Sequence, residues 1–274
     1  MNHLINACTN LLDEIREKNP LIHNITNYVT VNDCANAVLA IGASPIMADD
    51  SGEVEEIVSI SSALVINIGT LNQRTISSMI MAGKKANELN IPVVLDPVGA
   101  GASRLRNQTT QQILSQVKID VIRGNLSEVC FLAGLNASTK GVDSALTDEK
   151  NDAVGIAKLV SDRYSCVVGI TGKVDVISDG IRVAKIRNGH KLLSKVTGTG
   201  CMTSALVGSF CGITRDYYTA TVVGIATMGV SGEIAFEKSG VMGTGSFHIS
   251  IIDVLSNMNS TIFLERGKID EIKY

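Results

Sequence analysis

Four short apolar runs, separated by longer stretches with helical spacing, constrain this chain more than any other feature. They cover residues 63–68, 92–96, 120–122 and 166–170, are rich in Val and Ile, and are bounded by Gly, Asn, Asp or Thr. Such runs predict buried strands. Residues 73–90 and 148–164 carry helical patterns between them. Strand and helix in alternation predict βαβ units, with helices on both faces of a mostly parallel sheet. Beyond Val174 the pattern changes. Residues 174–178 and 181–186 flank Asp179-Gly180, a hairpin signal that predicts antiparallel strands late in the chain. Helices are expected over 1–20, 201–212, 216–238 and 243–258. No shift in composition divides the sequence, so a single α/β domain is expected over 1–274.

Composition narrows the class. Apolar residues make up 45% of the chain while aromatic residues make up 4%, with no Trp and 25 Gly. A core of small aliphatic side chains suits helices packed closely on a parallel sheet. The net charge of -3 argues against a nucleic-acid protein with a broad basic surface. Residues 1–20 are charged and amphipathic, unlike a secretory signal. Residues 196–214 and 217–232 are uncharged. The first is broken by Gly, Ser and Thr and the second is too short to span a bilayer. Both are expected to be buried helices, with no membrane partner. The six cysteines form no C-x-x-C pair and no cluster with the four histidines. Reduced thiols in a cytoplasmic protein are expected, without a zinc site.

Ligands of open parallel sheets bind at the carboxyl ends of the strands, so the loops there are the candidates. Thr197-Gly-Thr-Gly-Cys201 precedes a helix. Its amides and the helix N-terminus make either an anion hole at Gly198, Thr199, Gly200 and Cys201 or a tight turn into the helix. It is not a Walker A loop, because no Gly-Lys-Ser/Thr follows. Cys201 in the first turn is expected to have a lowered thiol pKa, or to be a small buried residue. Asp96 ends a strand and can order water on a magnesium ion or cap a turn. Asn125 and Glu128 have capping-box spacing, while Glu128 can also reach a cation through water. Arg123 and Thr171 can each meet a phosphate. His23 and Met47 are more ordinary as structural residues.

The order of these segments resembles the ribokinase-like superfamily: N-x-x-E after a mid-chain strand, T-G after a later one, then G-T-G-C opening a helix. That superfamily mostly carries Asp where Cys201 stands. This departure, with H-N-I-T-N-Y-V-T, L-D-P-V-G-A-G, R-x-N-x-S-E and G-T-G-S-F, is similar to the hydroxyethylthiazole kinase family from about Asn19 to about Asp253. The resemblance implies a ribokinase-like fold and ATP-dependent phosphorylation of 4-methyl-5-(2-hydroxyethyl)thiazole in thiamine salvage. It places Met47 and Gly198 at the thiazole and Arg123 and Thr171 at ATP. It places Cys201 at the substrate hydroxyl as the catalytic position, and Asp96 and Glu128 near Mg2+ through water. It also implies a homotrimer with active sites between subunits. The competing expectations are a kinase for another small alcohol, such as hydroxymethylpyrimidine, and a non-catalytic nucleotide- or thiazole-binding protein.

Overall fold

The computed structural model describes residues 3–135 and 152–272. Strands β1 (Leu21–Ile25), β2 (Ser44–Ile46), β3 (Ala63–Asn67), β4 (Val93–Asp96), β5 (Val121–Asn125) and β6 (Val167–Thr171) are parallel. Strands β7 (Asp175–Ser178), β8 (Val183–Ile186) and β9 (Ile269–Ile272) continue the sheet antiparallel. All nine lie in one sheet, ordered β2-β1-β3-β4-β5-β6-β7-β8-β9. The four predicted runs are four of these strands, with ends shifted by up to three residues, and the Asp179-Gly180 hairpin joins β7 to β8.

Alternation along β3 shows why these segments are strands. Ala63 and Val65 enter the core on one face of the sheet, and Leu64 and Ile66 enter the core on the other. A strand buried on both sides has no polar face, hence the continuous apolar run. The first face is covered by α1 (His3–Lys18), α2 (Val31–Ile41), α8 (Thr199–Cys211), α9 (Tyr217–Ser239), α10 (Thr244–Asn257) and α11 (Ser260–Arg266). The second is covered by α3 (Val54–Ser59), α4 (Gln73–Glu88), α5 (Arg104–Gln116), α6 (Leu126–Leu132) and α7 (Ala153–Tyr164). Helix α7 begins at Ala153; the part of the expected helix at 148–151 lies outside the described residues.

Three strands escaped the sequence pattern. His23 and Asn24 interrupt the apolar run of β1, β2 is three residues long, and β9 sets two adjacent acidic residues between two isoleucines at the sheet edge. Among the described residues, one helical stretch, Tyr217–Met242, is long and apolar enough to cross a membrane. It is packed inside the molecule, with 83% of its most apolar window buried, between α8, α10 and α1.

Candidate active site

Because β1, β3, β4, β5 and β6 are parallel, their C-terminal ends lie along one edge of the sheet. Register places Asn67 beside Asp96 and Asn125 beside Thr171. Asn27 follows β1 by two residues, and α8 starts against the same edge. Polar residues distant in sequence therefore meet.

Asp96 is the hub. It is almost fully buried, and its Oδ2 accepts from Asn67 Nδ2 at 2.8 Å and from Ser204 Oγ at 2.7 Å. Arg123 Nη1 lies 3.7 Å from the same oxygen. Asp96 Oδ1 has no hydrogen-bond partner. Burial raises the carboxyl pKa, opposed by Arg123, Ser204 and Asn67. Arg123 reaches on from β5 to β6, where its Nη2 donates to Thr171 Oγ1.

Glu128 fulfils the capping-box expectation. Its backbone N donates to Asn125 Oδ1 at 2.9 Å and its Oε2 accepts from Asn125 N at 2.8 Å. Oε1 accepts from Gly99 N at 2.8 Å, so this one carboxylate ties α6 to the loop after β4. Burial, and then the charge of Asp96, push its pKa up to about 7 against the two N–H donors and Arg123. Asp175, at the start of β7, accepts from Gly172 N at 2.9 Å and is pushed up to about 7 by burial. Sequence reasoning passed over Asp175.

At the start of α8, Gly198 is the N-cap with φ 88°. A side chain there would be strained and would strike Thr30, since a methyl carbon would fall 2.7 Å from Thr30 Cγ2. Cys201 Sγ accepts from Asn27 Nδ2 at 3.2 Å. Its thiol pKa is raised, which corrects the expectation of a lowered one. Burial dominates, the negative charge of Asp96 adds to it, and hydrogen bonds from Thr30, Asn27 and Asn67 only partly offset them. A helix N-terminus lowers a thiol pKa and burial raises it; here burial, with the Asp96 carboxylate close by, outweighs the helix.

On β1, next to the outer strand β2, His23 Nε2 donates to Ala48 O at 2.7 Å. Burial lowers the His23 pKa and favours the neutral ring. That bond holds the segment after β2, where Met47 lies half-buried on the core that also carries Cys201. Asp96, Glu128, Arg123 and Thr171 thus form one linked cluster, with Gly198 and Cys201 at the adjoining helix start. Sequence reasoning missed Asn27, Asn67, Thr30 and Ser204. The available signals were an Asn closing a strand and a Ser one helical turn beyond Cys201. Among the described residues no group of three or more His, Cys, Asp or Glu side chains is arranged to hold a metal.

A parallel sheet continued by late antiparallel strands, with a glycine-opened helix at its C-terminal edge, is a ribokinase-like fold. A ribokinase-like superfamily protein from Enterococcus faecalis V583 shares this fold at 8% identity, with a TM-score of 0.65 covering 92% of this chain and 95% of that one. The chain belongs to the hydroxyethylthiazole kinase family, whose model matches residues 12–261. It is 63% identical over 273 residues to hydroxyethylthiazole kinase of Ruminiclostridium cellulolyticum, covering 99% of this chain and all of that one. The structure of the hydroxyethylthiazole kinase protein from Pyrococcus horikoshii OT3 superposes with a TM-score of 0.89 at 39% identity, covering 98% of this chain and all of that one.

Proposed function

We propose that the chain transfers the γ-phosphoryl group of ATP to the hydroxyl of 4-methyl-5-(2-hydroxyethyl)thiazole, yielding 4-methyl-5-(2-phosphoethyl)thiazole and ADP in thiamine salvage. The observation that carries this reading is the junction of two clusters: the Gly198–Cys201 helix start and the Asp96–Arg123–Thr171 group, bridged by Ser204, Asn67 and Asn27. Phosphoryl transfer needs positioning and charge stabilisation more than covalent chemistry.

In this mechanism the amides of Gly198, Thr199, Gly200 and Cys201 receive the charge on the transferring group. Arg123 neutralises the phosphates. Thr171 Oγ1, already accepting from Arg123, keeps its own hydrogen for a phosphate oxygen; its present acceptor, Gly124 O, is 3.4 Å away. Met47 and Gly198 shape the thiazole pocket. Cys201 meets the acceptor hydroxyl. With a raised pKa the thiol orients that hydroxyl more than it deprotonates it.

Asp96 Oδ1 is a buried carboxylate oxygen with both lone pairs free, and Glu128 lies near enough for the Asp96 charge to raise its pKa. These residues fit a largely hydrated Mg2+, held at Asp96 and reached from Glu128 through water. When bound, the ion supplies positive charge across the ATP phosphates. We further propose a homotrimer with active sites closed between subunits. Tyr28 and Val29 are exposed beside Asn27 and offer apolar surface for a neighbour. The six free thiols accord with a cytoplasmic enzyme.

The deciding assay couples ADP release to oxidation of a nicotinamide, with ATP and Mg2+, with and without the thiazole alcohol. Thiazole-dependent ADP release with one phosphate added to the product mass is expected; release independent of thiazole would sink the assignment. Light scattering should give three times the 29.0 kDa chain mass.

A further inference from the structure

Asn27 is buried in the loop after β1, and each polar atom of its amide has a partner. Oδ1 accepts from Thr30 N at 3.2 Å and from Thr30 Oγ1 at 3.1 Å. Nδ2 donates to Asn67 Oδ1 at 3.0 Å and to Cys201 Sγ at 3.2 Å. The opposite orientation would set two carbonyl oxygens against each other at Asn67 and turn the NH2 group toward the Thr30 donors. Only one orientation is therefore compatible with its surroundings.

We infer that Asn27 is a positioning residue for the Cys201 side chain: locked by Thr30, its amide donates to Sγ and so sets the direction in which the thiol hydrogen points. The inference rests on the proposed place of Cys201 beside the acceptor hydroxyl. Sulfur that accepts from Asn27 directs its own hydrogen elsewhere. Cys201 is the one cysteine of the six that is not buried, so an open side is available. Any negative charge that reaches sulfur during transfer meets a fixed N–H. Gly69 makes the arrangement possible, because a methyl carbon there would fall 2.7 Å from Asn27 Nδ2 and 2.9 Å from its Cγ.

The effect of Asn27 is separable from that of Asp96. Asn67 Oδ1 also accepts from Gly69 N at 2.9 Å, and Asn67 Nδ2 donates to Asp96. Removing the Asn27 amide leaves that second anchor in place. The ionisable groups facing Cys201 are Asp96 from β4 and Cys34 from α2. Neither is altered by the substitution.

Two measurements test the inference on the full chain. The first is a double-substitution cycle on kcat. Asn27→Ala should lower kcat about tenfold in the native background and less than about twofold in the Cys201→Ala background. Equal losses in both backgrounds would overturn the inference. The second needs no substrate, so it stands apart from the assignment of the reaction. Iodoacetamide alkylation of Cys201 near about pH 8 should slow in Asn27→Ala, because the thiolate loses one of its donors while Thr30 and Asn67 remain. An unchanged or faster rate would overturn it. Should Asn27→Ala not fold, Gly69→Ala presses on the same amide without removing another donor to Cys201, and it should slow alkylation. Unaltered alkylation in that folded variant would overturn it equally.

Discussion

Ser204 donates from α8 to Asp96 at the end of β4, with Oγ and Oδ2 2.7 Å apart. Ser204 lies one helical turn beyond Cys201, so the helix that presents the thiol also fixes the carboxylate. Ser204→Ala removes a donor to a buried carboxylate, a bond worth about 1.5–3 kcal/mol. We expect kcat to fall roughly tenfold, with the fold retained and the KM for the thiazole alcohol little changed. Steady-state kinetics with circular dichroism as a folding check will decide; an unaltered kcat would remove Ser204 from the positioning of Asp96.

Cys201→Ala tests the thiol itself. The expected loss is about 10- to 10⁴-fold; a general base contributes about 10²- to 10⁴-fold, and the raised pKa places the loss toward or below the smaller end of that range. Cys201→Asp should retain appreciable activity, since an Asp carboxylate is ionised far below neutral pH unless its site raises it. In the native chain, kcat should still be climbing as pH approaches the ordinary thiol value of 9.0. Cys201→Ala should lack that rise. A fully active Cys201→Ala enzyme would end any role for the thiol in proton transfer.

Stability should depend on pH through Glu128 and Asp175. Both are raised to about 7, from 4.5 and 3.8. The folded state therefore binds protons that the unfolded state has lost between these values. Their contribution is full below about 4, declines across the interval and is gone once pH passes about 7. The melting temperature of the metal-free enzyme should drop by roughly 5 °C or more from pH 5 to pH 8. Glu128→Gln should flatten the slope. Added Mg2+ should raise the melting temperature more at pH 8 than at pH 5, because it binds the ionised carboxylates. A flat thermal profile over this range would contradict the burial argument.

Gly200 faces the Arg123 guanidinium: a methyl carbon there would lie 2.9 Å from Nη1 and 3.4 Å from Nη2. Gly200→Ala should displace Arg123, raise the KM for ATP severalfold and lower kcat about tenfold or more. Gly198→Ala meets both the positive φ and the Thr30 side chain, so it should also lose stability, by about 1–2 kcal/mol from the backbone alone. Chemical denaturation of both variants separates these effects. A Gly200→Ala enzyme with native kinetics would show that the Arg123 position is not constrained from α8.

Much of the molecule was legible in its residues. Continuous Val and Ile runs at β3, β4, β5 and β6 identified the central strands, because a strand covered on both faces cannot alternate. Asp179-Gly180 marked the hairpin, and Asn125 with Glu128 marked the cap of α6. Strand β1 stayed hidden because His23 and Asn24 are buried with hydrogen-bond partners supplied by Ala48 and Ile22, which no local pattern announces. Residues 63–68 contained Asn67 as one more member of an apolar run; its role depends on lying beside Asp96 in register.

The sequence by itself therefore determined the layered α/β architecture, the loops that carry chemistry and the family. Each follows from local periodicity or from short motifs held in order. Tertiary structure decided which residues meet and in which protonation state. Asn27, Asn67, Asp96, Cys201 and Ser204 come together only because parallel strands bring their C-terminal ends to one edge and α8 closes over them. The thiol pKa reversed its expected direction for the same reason. A helix N-terminus is a local property, while desolvation and the charge of Asp96, 105 positions earlier in the chain, arise only in the folded molecule.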